Sequence, residues 1–250
     1  NYVNCDTNGK KAYIFPHEPY WAGTHQKSAC HDNLQLMGYD KEEYQCSENV
    51  IETLAHTFYG GRGPWVDLLS DWCYGKLESY EHVKKTCNIS SIVTILNGYS
   101  NGTCLYHDRY RLIENIIDDL DFIDYYGGWI GEKSNIKSDP EKIKATIPYK
   151  FSLVIENDYH KNWITEKFYD PIICNTIPVY YGCSNIRDIY PENGYILLDN
   201  ISDHSYVREK LNWINENADE LYETMYPELL KIKKRYFTEY NLLKKIKTLI

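Results

Sequence analysis

The residues best suited to chemistry lie where an apolar run gives way to a polar loop and then to an amphipathic segment. Asn157 follows the apolar run 151–155, and Glu166 and Lys167 open the amphipathic segment. A carboxylate accepts hydrogen bonds from sugar hydroxyls such as a ribose diol, whereas a lysine ammonium binds phosphate as a point charge. Asn157, Glu166 and Lys167 together therefore predict a site for a nucleotide sugar.

The same segment also has an ordinary structural interpretation. Thr165 is a favourable helix N-cap, Glu166 is an acid in the first helical turn, and Lys167 is a solvated charge. On residue types alone, the two interpretations are equally supported.

The elements that must position these residues are a strand at 150–155 and a helix from 165 to about 175, both predicted from apolar spacing. In open α/β sheets, ligands bind beyond the carboxyl ends of the strands. The free N–H groups at the start of a helix also favour phosphate. The loop between this strand and this helix is therefore where we expect a phosphate-bearing ligand.

The C-terminal half of the chain alternates between short apolar strands and amphipathic helices. The predicted strands are 92–97, 122–126, 150–155, 177–181 and 195–199. The predicted helices are 108–119, a short one from about 139, 165–175 and two within 205–247. This alternation predicts an α/β fold with a doubly wound parallel sheet.

The N-terminal part of the chain is less regular. A strand is predicted at 11–15, ended by Pro16, with helices near 48–57 and 65–71. The glycines at 60–64 lack the Gly-Lys-[Ser/Thr] ending of a phosphate loop, and we interpret them as a turn. The predicted division is an N-terminal domain at 1–92, a C-terminal ligand-binding domain at 93–235 and a terminal helix at 236–250.

Charge and cysteine content exclude several functional classes. With a net charge of −9 and a pI of about 5.4, the chain lacks the broad basic face that binds a nucleic-acid backbone. No apolar run approaches the ~18 residues of a membrane helix, so we expect no membrane segment within this chain. The eight cysteines include no Cys-x-x-Cys motif, which leaves a zinc site weakly supported. The sequons at Asn88, Asn101 and Asn200 are glycan acceptors only in a secretory lumen.

A longer ordered pattern runs from 149 to about 200. It comprises Phe151, Leu153, Glu156-Asn157, Ile164-Thr165-Glu166-Lys167, Thr176-Ile177-Pro178-Val179, Gly182 and Pro191. This stretch resembles the donor-binding core of the α-1,3/4-fucosyltransferases, glycosyltransferase family 10. The order and length of the pattern make chance a poor explanation.

The resemblance continues more weakly upstream, where 123–127 resembles a family strand. Arg109 or Arg111 matches the arginine that neutralises the donor pyrophosphate in the family, and spacing favours Arg109. Asn97 matches an asparagine at a strand end, with 100–101 as the alternative match. The segment 13–19 resembles the one that carries the family's general base, which implies that role for Glu18; a loop acid is the alternative interpretation.

The resemblance implies a GT-B-like fold of two Rossmann-like domains facing a cleft, with Glu18 on the acceptor side and the donor residues in 93–235. It implies an inverting fucosyltransferase that moves fucose from GDP-fucose to a hydroxyl of an acceptor glycan or glycoconjugate. No metal or other cofactor is obligatory in this scheme, because cationic side chains neutralise the departing diphosphate. The implied donor-binding residues are Asn97, Arg109, Asn157, Trp163, Glu166 and Lys167.

Four residues near the expected donor sugar depart from the family pattern. Trp163 replaces a tyrosine, Asp158 replaces a serine, Pro171 lies inside the predicted helix and Cys183 lies in the following loop. The nucleotide-sugar class is therefore better supported than fucose itself. The alternatives are the same fold with another nucleotide-6-deoxysugar donor, or a catalytically decayed glycan-binding protein.

The cellular compartment stays open. A Golgi or secretory lumen is expected for a eukaryotic chain with its anchor removed, and a cytoplasmic or membrane-peripheral location for a bacterial or viral one. The paired C-terminal cysteines of animal family members are missing, which favours a bacterial or viral type. Because the chain begins at Asn1 without a signal segment, we expect any anchor to lie outside it.

Overall fold

A computed structural model of the chain describes residues 12–14, 34–36, 83–92, 105–126, 136–137, 145–236 and 238. Within these ranges the strands are β1 (Ala12–Ile14), β2 (Leu34–Leu36), β3 (Cys87–Ile92), β4 (Ile123–Tyr126), β5 (Ile136–Lys137), β6 (Tyr149–Ile155), β7 (Ile177–Tyr181) and β8 (Ile196–Leu197). The helices are α1 (Tyr106–Ile116), α2 (Glu166–Ile173), α3 (Ile186–Ile189), α4 (His204–Glu216) and α5 (Ala218–Arg235).

Two parallel sheets are described. β1 and β2 form a two-stranded sheet, and the other six strands form a sheet of order β5-β4-β3-β6-β7-β8. The larger sheet is parallel throughout, with register pairs that include Ile89 with Phe151 and Leu153 with Val179. From β3 the chain proceeds outward to β5, then returns to β6 on the other side of β3. The boundary between β3 and β6 is therefore the switch point of the sheet, where open α/β sheets form their ligand crevice.

The strands form where short apolar runs can be buried on both faces. Phe151, Leu153 and Ile155 of β6 are all buried, as expected for a central strand covered by helices. α1 buries Leu112, Ile113 and Ile116 at helical spacing, and this stripe packs in the same core. The predicted α/β class and parallel sheet are confirmed.

Aromatic side chains fill the core beneath the carboxyl ends of β6 and β7. The ring of Phe168 on α2 lies 4.8 Å from that of Tyr180 on β7 and 5.9 Å from that of Tyr190. Tyr195 packs edge-on against the same phenylalanine at 5.5 Å. Several of the 25 tyrosines of the chain are thus core residues, and they fix α2 against the sheet.

A half-buried lysine, Lys85, links strands at the opposite, amino-terminal edge of the sheet. Lys85 Nζ donates to the carbonyl oxygens of Ile147 and Cys174 and to Thr176 Oγ1, at 2.7, 2.8 and 2.9 Å. These acceptors lie just before β6 and β7. The lysine therefore fixes the relative starts of β3, β6 and β7.

Most predicted elements of the C-terminal half are found, with two differences. The strand expected at 92–97 overlaps β3 only at Ile92: β3 begins at Cys87 and contains the buried Ser90 and Ser91, and 93–97 lie outside the described residues. β3 pairs with β4 and β6 in the larger sheet. The predicted division, by contrast, assigns 87–92 to the N-terminal domain. β8 is shorter than predicted because it pairs with β7 only at Ile196 and Leu197.

Several predictions fall on residues outside the described ranges. These are the helices near 48–57 and 65–71, the glycine turn at 60–64, the start of the helix near 139 and most of the terminal helix at 236–250. In the part of the chain that is described, no helix has both the length and the apolar character needed to cross a bilayer.

Candidate functional site

The candidate site lies at the switch point, at the carboxyl ends of β6 and β7. Glu156 and Asn157 follow β6 directly, and the backbone N–H of Glu156 donates to Tyr181 O at 2.9 Å, which continues the pairing with β7. The loop then returns to Thr165, the N-cap of α2. Three of the predicted site residues, Asn157, Glu166 and Lys167, are therefore brought to one edge of the sheet.

A fully buried carboxylate organises the start of α2. Glu156 is 0% exposed, and its two oxygens accept from Thr165, Oε1 from the backbone N–H at 2.8 Å and Oε2 from the hydroxyl at 2.6 Å. Tyr180 Oη also donates to Oε1 at 3.4 Å. Burial raises the pKa of Glu156, against the nearby Lys167 charge that lowers it.

Lys167 projects from the first turn of α2 between two carboxylates. Its Nζ lies 3.0 Å from Glu166 Oε1 and 3.8 Å from Glu156 Oε2, and its side chain is 21% exposed. Burial favours the neutral amine, but the two carboxylates outweigh it and raise the pKa of Lys167. The ammonium form is thus held at the mouth of the site.

Arg109 brings a second positive charge from α1 to the same place. The side chain is buried, and its guanidinium Nη1 donates to Ile155 O and to Asn157 Oδ1, each at 3.2 Å. The backbone N–H of Leu105, just before α1, donates to Asn157 O at 2.8 Å. The positive charge of Arg109 opposes the two carboxylates that raise the pKa of Lys167, so the two cations repel each other across the site. A negatively charged group bound beside both side chains would relieve this repulsion.

The tryptophan of the loop has a different place from the one predicted. Trp163 was expected to contact a donor, but only 1% of its surface is exposed. Its carbonyl oxygen accepts from Tyr180 Oη at 3.3 Å. In this structure the ring is therefore packed inside the fold and anchors the loop, rather than lining the site.

Close packing behind the site leaves no room for a side chain at Gly182. A Cβ on Gly182 would lie 2.3 Å from Glu156 Cγ and 2.7 Å from Tyr180 Oη. Neither neighbour is free to move, because each holds hydrogen bonds to the loop that precedes α2. Glycine is required here by space.

Sequence reasoning points to Arg109, Asn157, Glu166 and Lys167 but not to the buried Glu156 and Tyr180 that support them. Glu156 was part of the quoted motif but was not selected, and Tyr180 was not considered. The available signal was the position of Glu156, a charged residue directly after the apolar strand predicted at 150–155. Such a residue must be paired, since an unpaired buried charge is costly.

Two predicted residues lie outside the described part of the chain, Glu18 and Asn97. Arg111, the alternative to Arg109, is exposed on α1. Among the described residues, no three His, Cys, Asp or Glu side chains form a group that could hold a metal ion. Within the described ranges, Cys87 and Cys183 are free thiols.

Comparison with known families and structures gives a consistent result. The family model described as glycosyltransferase family 10 (fucosyltransferase) C-term matches residues 84–244. This range contains the six-stranded sheet and every described residue of the candidate site.

Similar curated proteins include fucosyltransferases from animals. Alpha-(1,3)-fucosyltransferase B of Drosophila melanogaster is 34% identical over 80 residues, which is 32% of this chain and 18% of that protein. GDP-fucose protein O-fucosyltransferase 3 of Mus musculus is 40% identical over 92 residues, 36% of this chain and 19% of that protein. The chain thus matches about a fifth of the length of these relatives.

Solved structures share the fold. An alpha1,3-fucosyltransferase with GDP-fucose aligns with a TM-score of 0.50 and 14% identity, over 88% of this chain and 67% of that one. WaaG, a glycosyltransferase of lipopolysaccharide biosynthesis, aligns with a TM-score of 0.56 and 11% identity, over 97% of this chain and 76% of that one. At such identities the likeness supports the fold class, which is the predicted GT-B-like one.

Proposed function

The chain belongs to glycosyltransferase family 10, the fucosyltransferases, and we propose that it transfers fucose from GDP-fucose to a hydroxyl of an acceptor glycan with inversion at the anomeric carbon. The observation that carries this proposal is the convergence of Arg109 and Lys167 at the switch point, beside Asn157 and Glu166. Two cations and a hydroxyl-accepting carboxylate match the chemistry of a nucleoside diphosphate with its ribose.

The proposed donor position assigns a role to each group. Lys167 and Arg109 bind the diphosphate, Lys167 as a point charge and Arg109 through its planar guanidinium. Glu166 accepts from the ribose hydroxyls, and Asn157, held by Arg109, faces the same edge. The two cations then stabilise the negative charge that develops on the leaving GDP, so we propose that transfer needs no metal ion.

The transfer itself forms one bond and breaks another. The acceptor oxygen bonds to the anomeric carbon of fucose, the bond from that carbon to the phosphate oxygen breaks, and GDP leaves with the electron pair. The proton of the acceptor hydroxyl must pass to a base. We assign this role to Glu18, and we expect Glu18→Gln to abolish transfer while leaving GDP binding unchanged.

One alternative changes the acceptor. Some relatives are named GDP-fucose protein O-fucosyltransferase 3, so a hydroxyl of a protein side chain is the second candidate acceptor.

The departures from the family pattern at Trp163 and Asp158 leave another nucleotide-6-deoxysugar as an alternative donor. The decayed glycan-binding alternative is disfavoured by the retention of Arg109, Glu166 and Lys167 in one place.

A thermal-shift comparison of GDP, GDP-fucose, UDP and dTDP, in EDTA, tests the donor assignment. A ligand at about 100 times its dissociation constant adds about 2.7 kcal/mol to the free energy of unfolding. Each kcal/mol raises the Tm of a chain of this size by about 2–4 °C. We expect a shift with the two guanine nucleotides alone. A shift with UDP or dTDP alone would discard GDP-fucose as the donor, and no shift with any nucleotide would favour the decayed alternative.

A further inference from the structure

A pair of stacked tyrosines, one exposed and one half-buried, lies at the same edge of the sheet as the candidate donor site. Tyr159 in the loop after β6 and Tyr181 at the end of β7 stack with ring centroids 5.0 Å apart and an angle of 28°. Tyr159 is 51% exposed, the largest exposed fraction among the described large hydrophobic side chains. The roles proposed for the donor site use neither tyrosine.

The pair is continuous with the donor site on two sides. Tyr159 is two residues from Asn157, which accepts from Arg109. Tyr181 O accepts from the N–H of Glu156, the carboxylate behind Lys167. A ligand on the tyrosine pair would therefore lie next to the proposed donor.

The loop that carries Tyr159 is held in place before any ligand binds. Asn162 and Asn185 form two hydrogen bonds. The backbone N–H of Asn162 donates to Asn185 Oδ1 at 2.7 Å, and Asn185 Nδ2 donates to Asn162 Oδ1 at 3.0 Å. Ser184 N donates to His160 O at 3.1 Å. A fixed aromatic face loses little conformational entropy on binding, which favours its use in recognition.

The charges around the pair favour a neutral ligand with many hydroxyl groups. Asp158 precedes Tyr159, and burial, Tyr159 and the nearby carboxylate of Asp108 together raise the pKa of Tyr181. Carboxylates repel a nucleotide diphosphate but accept from sugar hydroxyls. The C–H face of a pyranose ring packs against the negative face of an aromatic ring.

We propose that Tyr159, supported by Tyr181, is the subsite that stacks against a pyranose ring of the acceptor glycan. The inference rests on the proposed function and adds to it the class of acceptor group and its place beside the donor. The ring face of Tyr159 is the binding element, so its hydroxyl is dispensable.

Saturation-transfer NMR with the full chain and GDP tests this assignment, with methyl β-galactoside and methyl β-N-acetylglucosaminide as probes. We expect at least one glycoside to bind the wild type and Tyr159→Phe equally. Tyr159→Ala should bind it roughly two- to twelve-fold more weakly, as for the loss of one stacking contact. Trp213→Ala is the matched control, because Trp213 is 45% exposed on α4.

The outcomes separate this inference from the donor assignment. If the wild type does not bind GDP, the proposed function fails independently of the tyrosine pair. If GDP binds but no glycoside does, or if Tyr159→Ala leaves glycoside binding unchanged, the acceptor subsite is wrong. A loss of GDP affinity in Tyr159→Ala would also overturn it, because the tyrosine would then serve the nucleotide base.

Discussion

At the scale of single residues, Gly182 shows how closely the buried groups support the charged ones. In Gly182→Ala the new Cβ would press on Glu156 at 2.3 Å. We expect a loss of about 1–3 kcal/mol in unfolding free energy, as for other overpacked sites. We also expect weaker GDP binding, because Glu156 holds Thr165 at the start of α2. Urea unfolding and GDP titration measure the two effects.

Gly194→Ala is the matched control for this prediction. Its added Cβ would lie 2.5 Å from Leu229 N on α5, and none of the atoms nearest to it belongs to the candidate site. It should lose stability but keep the wild-type affinity for GDP. Equal GDP affinity in both alanine variants would show that Gly182 has only a packing role.

The thiol beside this glycine should respond to pH in a defined way. Burial raises the pKa of Cys183 from 9.0 to about 12. At pH 8 its thiolate fraction is therefore about a thousand-fold below that of an ordinary thiol with a pKa near 9. Because the folded-state pKa is the higher one, Cys183 stabilises the fold fully below pH 9, and this contribution is lost as pH rises towards 12.

Alkylation followed by mass spectrometry checks this prediction. Labelling of Cys183 by iodoacetamide in the folded protein should be far slower than in urea at pH 8. Its rate should rise about tenfold per pH unit between pH 8 and 11, whereas the rate in urea should level off above pH 9. Equal rates in the two states at pH 8 would contradict the burial of this thiol.

Residue types and the family resemblance together predicted four residues of the candidate site, but not the buried Glu156 and Tyr180 behind them. Asn157, Glu166 and Lys167 could be selected because polar residues next to an apolar run are visible in the sequence, whereas Arg109 was implied by the family resemblance. The burial of Trp163 could not be predicted, since the direction of a loop side chain depends on tertiary packing. The motif alone implied a ligand contact for a residue that the fold uses as an anchor.

At the scale of elements, the start of α2 depends on one side chain with two roles. Thr165 Oγ1 accepts from Lys167 N at 3.3 Å and donates to Glu156 Oε2 at 2.6 Å. Thr165→Ala removes the cap and leaves Glu156 with one fewer partner. We expect a loss of about 0.5–2 kcal/mol for the cap alone, and weaker GDP binding. Thr165→Ser should restore both.

A second helix of the same domain supplies the control. Asp203 caps α4 by accepting from Tyr206 N at 3.0 Å, and it lies in an exposed turn. Asp203→Ala should cost a similar amount of stability in chemical unfolding, with no change in GDP affinity. If both cap variants bind GDP like the wild type, the start of α2 does not position the donor.

Elements with strong local signals were predictable. β7 was predicted at its observed bounds, and α2 was predicted from its cap and apolar spacing. The sequence predicts the start of β3 too late because Ser90 and Ser91 are polar residue types, although both are buried and Ser90 donates to Ser152 on β6 at 3.4 Å. Paired hydroxyls inside a sheet give no apolar signal.

At the scale of the whole molecule, the order of strands creates the site. α1 follows β3, whereas Asn157 and α2 follow β6, and these two strands are neighbours only because the chain reverses direction across the sheet. The alternation of strands and helices along the sequence predicts a parallel sheet but not the order of the strands within it. Strand order depends on packing between distant segments, which a pattern of local residues does not contain.

The most direct test of the central claim is calorimetric titration of GDP in EDTA with the wild type, Arg109→Ala, Lys167→Ala and Lys210→Ala. Lys210 lies over the ring of Trp213 on α4 and serves as a control for lost charge. We expect the first two variants to lose about 1.5–3 kcal/mol of binding free energy, as for a hydrogen bond to a charged group. The Lys210 variant should match the wild type. Identical GDP affinity in all four proteins would contradict the claim that the switch point of this sheet binds the donor diphosphate.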